Sequence, residues 1–141
     1  MSEQKVDYSK LDVGHEFPQT TFNLDSSLVA DYISVVGETS PLYRDSRLVP
    51  PMAMAAFAMA ALSKGLSLPS GAIHVSQEME FLSTVSTSDA ITSHARVSRK
   101  QKRSIFQILT IDFSAFNQDN QKVMTGSTEF ILPAASAGSG R

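Results

Sequence analysis

The sequence predicts an α+β fold in which a five-stranded antiparallel sheet wraps around one central apolar helix. Two observations carry this. Residues 49–65, VPPMAMAAFAMAALSKG, are almost wholly apolar and built mainly from Ala, Met, Phe and Leu, with no polar stripe before Ser63. A helix that is apolar all round has to be covered on all sides. Beyond it the pattern changes to period two: Ile73, Val75, Gln77, Met79 and Phe81 alternate with His74, Ser76, Glu78 and Glu80. Such alternation gives a strand one apolar and one polar face. It continues to Leu132, so the chain supplies an antiparallel sheet able to do the covering.

The elements follow in order. Residues 1–13 are polar and read as a loose N-terminal arm. Residues 15–24, HEFPQTTFNL, read as a strand, with Pro18 marking an edge or a strand start. Asp25 and Ser26 offer an N-cap. Leu28, Val29, Tyr32, Ile33 and Val36 then recur at helical spacing, making 26–36 an amphipathic helix that Gly37 ends. Residues 38–48, ETSPLYRDSRL, are polar, and Pro41 holds Ser40 in an extended or turn conformation.

Pro50 and Pro51 introduce the central helix. Pro51 suits the first helical position, where a missing N–H costs little. Lys64 and Gly65 close the helix. At ~1.5 Å per residue it is some 24 Å long, too short and too Ala-rich for a membrane span of ~20 residues.

Four strands read as successive hairpins come next. The first is 73–81, and the second contains Ile91, Ser93, Ala95 and Val97. RKQKR at 99–103 marks a hairpin end. The third strand is 105–116, with Leu109, Ile111, Phe113 and Ala115 on one face. NQDNQ at 117–121 is a turn signal, and 122–132 is the last strand. Residues 134–141, AASAGSGR, have the composition of a flexible tail. One domain over 14–133 is expected.

Composition narrows the function classes. A chain of 141 residues makes one compact domain. A net charge of −2 gives no support to a nucleic-acid role. There is no cysteine, which excludes disulfides, thiolate zinc sites and a cysteine nucleophile. The polar start MSEQKVDYSK is not a signal peptide, so a cytoplasmic location is expected by elimination. His15, His74 and His94 are isolated, with no metal-ligand spacing. His74 falls on the polar face of its strand and is expected to be exposed. No metal or cofactor is expected.

The order strand, helix, helix, four strands is that of the hot-dog fold. Three stretches then resemble the MaoC-like hydratases and dehydratases, which add or remove water at the double bond of acyl thioesters. GETSPLY at 37–43 resembles that family's Gly-Asp-x-Asn-Pro-Leu-His motif after the same helix. LVPPMAMAAF at 48–57 resembles its Val-Pro-Gly-Met helix opening. FLSTVSTSDAI at 81–91 resembles its Phe-x-x-Pro-Val-x-x-Gly-Asp-x-Leu signature. The terminal hairpin is similar too, so the likeness covers about residues 11–133.

The resemblance implies an Asp and a His, five positions apart, working on a water. It also implies a backbone amide at the start of the central helix that holds the thioester oxygen. Here the Asp position is Glu38, and the His position is Tyr43; a phenol is a poor base at neutral pH. The Gly position is Pro51, which has no N–H. Amides of Met52 and Ala53 remain at the helix start. A family Ser aligns with Met59, and only residues 44–48 separate Tyr43 from Val49 where the family has a longer segment.

The resemblance therefore implies a degenerate or accessory subunit that binds a thioester of coenzyme A or acyl carrier protein. Glu38 and Tyr43 stand at the catalytic positions; Ser40, Pro51, Met52, Ala53 and Met59 stand at substrate-binding ones. The resemblance also implies a homodimer, or a heterodimer with another hot-dog subunit, formed by edge-strand pairing. Two alternatives stay open: an active hydratase using Glu38 as base and Tyr43 as donor, and a hot-dog thioesterase. Plainer readings stand beside these. Glu38 is as well explained as a solvated loop carboxylate and Tyr43 as a packing residue. Met52, Met54 and Met59 serve equally as core filling, and RKQKR as a solvated hairpin tip.

Overall fold

The computed structural model describes residues 6–45 and 47–133. Strand β1 (Val6–Asp7) leads into a 3-10 turn at Tyr8–Lys10, and β2 (Thr20–Asn23) precedes helix α1 (Ser26–Val36). A short helix α2 (Pro41–Asp45) and the central helix α3 (Pro51–Ser63) follow. Strands β3 (Leu66–Ser67), β4 (Ile73–Phe81), β5 (Ala90–Arg103), β6 (Phe106–Phe116) and β7 (Lys122–Pro133) complete the chain. The main sheet has five strands in the order β2-β5-β6-β7-β4, all antiparallel. The expected α+β architecture is therefore present.

The strands after α3 are not all successive hairpins. β5, β6 and β7 are, but β4 pairs with β7 and not with β5. The chain between β4 and β5 is held to the segment before α3 instead. Val49 N–H donates to the Val85 carbonyl at 2.8 Å, and Thr87 N–H to that of Arg47 at 2.7 Å. Val85 is buried, so this link crosses the sheet end as part of the core.

The strand expected over 15–24 is broken at Pro18, which has no N–H for a ladder. Phe17 N–H bonds the Ala95 carbonyl at 3.0 Å, Glu16 bridges Arg96, and regular pairing resumes only at Thr20. Nor is the N-terminal segment a loose arm from residue 6 onward. β1 pairs in parallel with β3, and Leu11 is fully buried. The Lys100 ammonium donates to the carbonyls of Leu11, Tyr8 and Ser9 at 2.6, 3.3 and 3.4 Å. RKQKR is thus no free tip: its Lys100 fastens this segment, and the turn lies at Ser104 and Ile105. The tail at 134–141 lies outside the described residues.

Helix α1 starts and stops as its sequence dictates. The Asp25 carboxylate accepts from the Ser27 amide and hydroxyl, each at 2.7 Å. The Ser27 hydroxyl, then its amide, hold that carboxyl below its ordinary value. Gly37 takes φ +74°, and its N–H and that of Glu38 close back on the last turn. Gly65 does not end α3 in that way: Lys64, at φ −71° and ψ −24°, continues right-handed.

Helix α3 lays Ala53, Met54, Ala55, Ala58 and Leu62 on the concave face of the sheet, and all five are buried. Ile91, Phe113, Ala115, Val123 and Met124 meet the first part of the helix. Leu62 joins Val97, Leu109, Ile111, Phe130 and Leu132 beyond it. The helix is not surrounded, however. Met52, Ala56, Ala60 and Ser63 are exposed, with Met52 at 56%. A single sheet curls over one side of a helix, so the opposite stripe stays open.

A bulge between His74 and Ser76 alters the period-two reading of β4. Glu78 and Glu80 pair with Ser127 and Thr125 on the outer face, as the alternation implies. His74 instead pairs with Phe130, a core residue, and their ring centroids lie 5.0 Å apart. The extra residue moves His74 off the face of the glutamates, though it remains exposed at the sheet edge.

Candidate functional site

The loop from Gly37 to the start of α3 carries the residues singled out above. Glu38 is exposed, and its Oε1 accepts the Ser40 N–H at 2.9 Å. Ser40 Oγ in turn accepts the Leu42 N–H at 3.2 Å, and the Ser40 carbonyl accepts from Tyr43 N–H at 3.3 Å. These bonds lead into α2 at 41–45, with Pro41 at its first position, while Ser40 before it stays outside the helix. The Glu38 carboxylate thus acts as a local brace.

Tyr43 is half-buried and lines a shallow pocket of about 280 Å³ between α1, the strip at 47–48 and the loop at 87–88. Val29 and Ile33 form its apolar floor, and Arg47, Thr87 and Ser88 are the polar lining. The pocket is rich in hydrogen-bond donors and has no carboxylate or imidazole among its lining residues. Glu38 is not part of it. Of the two residues at the expected catalytic positions, this pocket takes Tyr43 and not Glu38.

At the α3 start, Pro50 and Pro51 contribute no N–H. The Ala53 N–H donates to the Pro50 carbonyl at 2.9 Å, so one of the two amides expected to remain there is engaged. Ala53 itself is fully buried, whereas Pro51 and Met52 are exposed at the helix mouth. Met59 sits two turns deeper, its sulfur 3.5 Å from the Thr128 hydroxyl, a fully buried group on β7. Among the described residues no group of His, Asp and Glu is arranged to hold a metal ion. No helix there is long and apolar enough to cross a membrane.

Thr87, Ser88 and Arg47 were not singled out from sequence. Ser88 adopts φ +79°, unusual for a residue with a side chain. Its N–H bonds the Leu24 carbonyl at 2.7 Å, while Asp89 accepts from Ser86 N–H at 2.9 Å and from the Gln118 amide at 3.1 Å. Ser88 stands at the Gly of the Gly-Asp signature, and that was the signal available. Replacing Ser88 by Gly removes a left-handed strain of about 1–2 kcal/mol against a chain-entropy cost of about 0.5–1 kcal/mol. The S88G variant is expected to gain about 0.5–1 kcal/mol in urea unfolding; a loss of stability would show that the loop carries no such strain.

A sheet curled over one apolar helix, with a polar loop leading into that helix, defines a hot-dog protein. A family model described as FAS1-like, dehydratase domain region, matches residues 11–126, and the chain belongs to that family. Solved structures agree on the fold. A monoamine oxidase regulatory protein from an Archaeoglobus species aligns at 15% identity and TM-score 0.80, over 96% of this chain and 99% of that one. The R-hydratase PhaJ1 from Pseudomonas aeruginosa aligns at 22% identity and TM-score 0.76, over 89% and 84%. The HadBC (3R-hydroxyacyl-ACP dehydratase) complex from Mycobacterium tuberculosis matches at 16% identity and TM-score 0.66, over 84% and 96%. No curated protein matches the chain in sequence.

Proposed function

We propose that the chain is an acyl-thioester-binding hot-dog subunit that does not hydrate its ligand alone and works beside a catalytic partner. One observation carries the reading. Where a hydratase of this family needs a base and a free amide, the chain has a phenol at Tyr43 and a proline at Pro51, and Pro50 engages the next buried amide. A phenol donates a hydrogen bond at neutral pH and is a poor acceptor of water's proton. A proline start leaves the developing oxyanion without its donor.

Binding does not need either group. In this reading Met52 at the open mouth of α3 and Met59 farther along line the acyl path. Ser40 and the donors around Tyr43 meet the polar end of the thioester. The open stripe Met52, Ala56, Ala60 is completed by a second hot-dog subunit, joined at a sheet edge. The two-subunit HadBC complex supports a partner of that kind.

The test uses the purified chain with crotonyl-CoA and 3-hydroxybutyryl-CoA. Calorimetry is expected to give saturable binding. Turnover is expected at least about a thousandfold below an intact hydratase, the scale of losing a base and an oxyanion donor together. A solid rate from the chain alone overturns the proposal. If Glu38→Gln then abolishes that rate, the active-hydratase reading takes its place.

A further inference from the structure

The recess beside Tyr43 carries a charge that a neutral thioester oxygen does not match. Its floor is apolar. Val29, Ala30 and Ile33 stand at helical spacing on one side of α1, and Val29 is buried. Around this floor lie Tyr43, Arg47, Thr87 and Ser88, whose side chains can all donate. Arg47 is the only charged residue among the described residues lining the recess. Among the described residues no carboxylate pairs with it; the one ion pair there joins Arg99 and Glu129. At about 280 Å³ the recess suits a fragment of a few carbons and is too small for a whole thioester of coenzyme A.

The backbone bears on which anion fits. A phosphate is held by a run of free amides or by several cations. Here the amides are spent. Thr87 N–H bonds the Arg47 carbonyl and Ser88 N–H the Leu24 carbonyl, each at 2.7 Å. The start of α1, which Ser26 brings to the recess, is already capped. The Asp25 carboxylate accepts the Ser27 amide, and the Asp25 carbonyl accepts the Val29 N–H at 3.0 Å. What remains is one guanidinium with hydroxyls beside it. A planar guanidinium meets a planar carboxylate through two parallel N–H···O bonds, and their single charges cancel. The apolar floor then covers a short hydrocarbon body.

We infer that this recess binds a small organic carboxylate. Arg47 pairs with the carboxylate, the hydroxyls of Tyr43 and Thr87 donate to it, and the apolar part lies on Val29, Ala30 and Ile33. The accessory-subunit reading asks only for a polar group here. A free acid makes the site independent of that reading; a carboxylate at the far end of an acyl thioester makes it rest on it.

Chemical-shift titration of the full chain at low salt compares two pairs matched in carbon number. Pentanoate is set against pentanamide, and glutaryl-CoA against pentanoyl-CoA. In at least one pair the carboxylate is expected to bind at least about tenfold more tightly, the scale of a hydrogen bond to a charged group. The shifts are expected at Val29, Ile33 and Thr87. Preference in the first pair assigns the free acid; preference in the second pair alone assigns the acyl group. Arg47→Met is expected to abolish the preference. Ala30→Phe fills the floor with the charge intact and is expected to weaken the preferred ligand at least about tenfold. Both positions are exposed, so both variants should match the wild type in urea unfolding. The inference is overturned by no preference in either pair, by a preference that survives Arg47→Met, or by unchanged affinity in Ala30→Phe. Inorganic phosphate that binds more tightly than either carboxylate overturns it as well. Binding of pentanoyl-CoA decides the accessory reading by itself, so the two failures are distinguishable.

Discussion

Gly126→Ala is expected to destabilise the protein by about 2–3 kcal/mol, the scale of forcing one methyl into a packed core. Gly126 lies in β7, opposite Phe113 of β6 on the concave face. A β-carbon there would strike the tip of the Phe113 ring and come within 2.6 Å of the Glu78 carbonyl. The ring is buried against α3 and the carbonyl belongs to a paired strand, so neither yields freely. Urea unfolding measures the loss. The double variant Phe113→Leu, Gly126→Ala should be less destabilised than the sum of the two single changes, because the shorter side chain vacates the space the methyl needs. Strict additivity would mean that the ring is not what the methyl meets. The Glu78 contact remains in the double variant, so recovery should be partial.

The second large effect separates the two sides of α3. Ala58→Leu is expected to cost about 3 kcal/mol, because Ala58 is 2% exposed and lets the helix lie close against the sheet. Ala60→Leu places the same atoms on the open stripe and is expected to change stability by less than about 0.5 kcal/mol. Both are read from urea unfolding at low protein concentration. Equal costs would show that the helix is enclosed on both sides, contrary to the open stripe. The alanines of this helix therefore have two uses: close approach on one side and a smooth, uncovered surface on the other.

Much of the fold was legible because its signals are local. Asp25 and Gly37 bracket α1 through bonds within a few residues of each, and the Asn117 side chain folds its own turn by accepting from Asp119 and Gln121. The alternation of β6 survives intact from Leu109 to Ala115. What escaped depends on distant partners or on a single extra residue. Nothing near β4 shows that it joins β7, since the link that carries it across is fixed to residues 47 and 49. The bulge before Ser76 is invisible to a period-two count, and it moved His74. Lys100 reads as one more surface charge until the carbonyls of Tyr8, Ser9 and Leu11 are seen around it.

The candidate site divides in the same way. The loop from Glu38 to Tyr43 was found from its likeness to a known motif, but its winding into α2 turned Tyr43 toward a pocket that Glu38 does not line. Arg47 and Thr87 reach that pocket through backbone pairing between 47 and 87, which no local pattern announces. Ser88 had a signal, the position of a family glycine, and its positive φ gives that signal its physical meaning.

The bulges of the long strands have a bearing on how this chain can change by descent. One lies between His74 and Ser76, in an edge strand with a neighbour on one side only. Another lies between Val97 and Arg99, but there Val97 also bonds Gly14 and His15 on the side away from β6. An added residue in β4 disturbs one ladder; in the middle of β6 it would break two. Gains and losses of single residues can therefore accumulate in β4 in a lineage while β6 and α3 keep their length. Each such event re-aims only the side chains beyond it. At β4 these are Ile73 and His74, while Gln77 to Phe81 stay in register with β7.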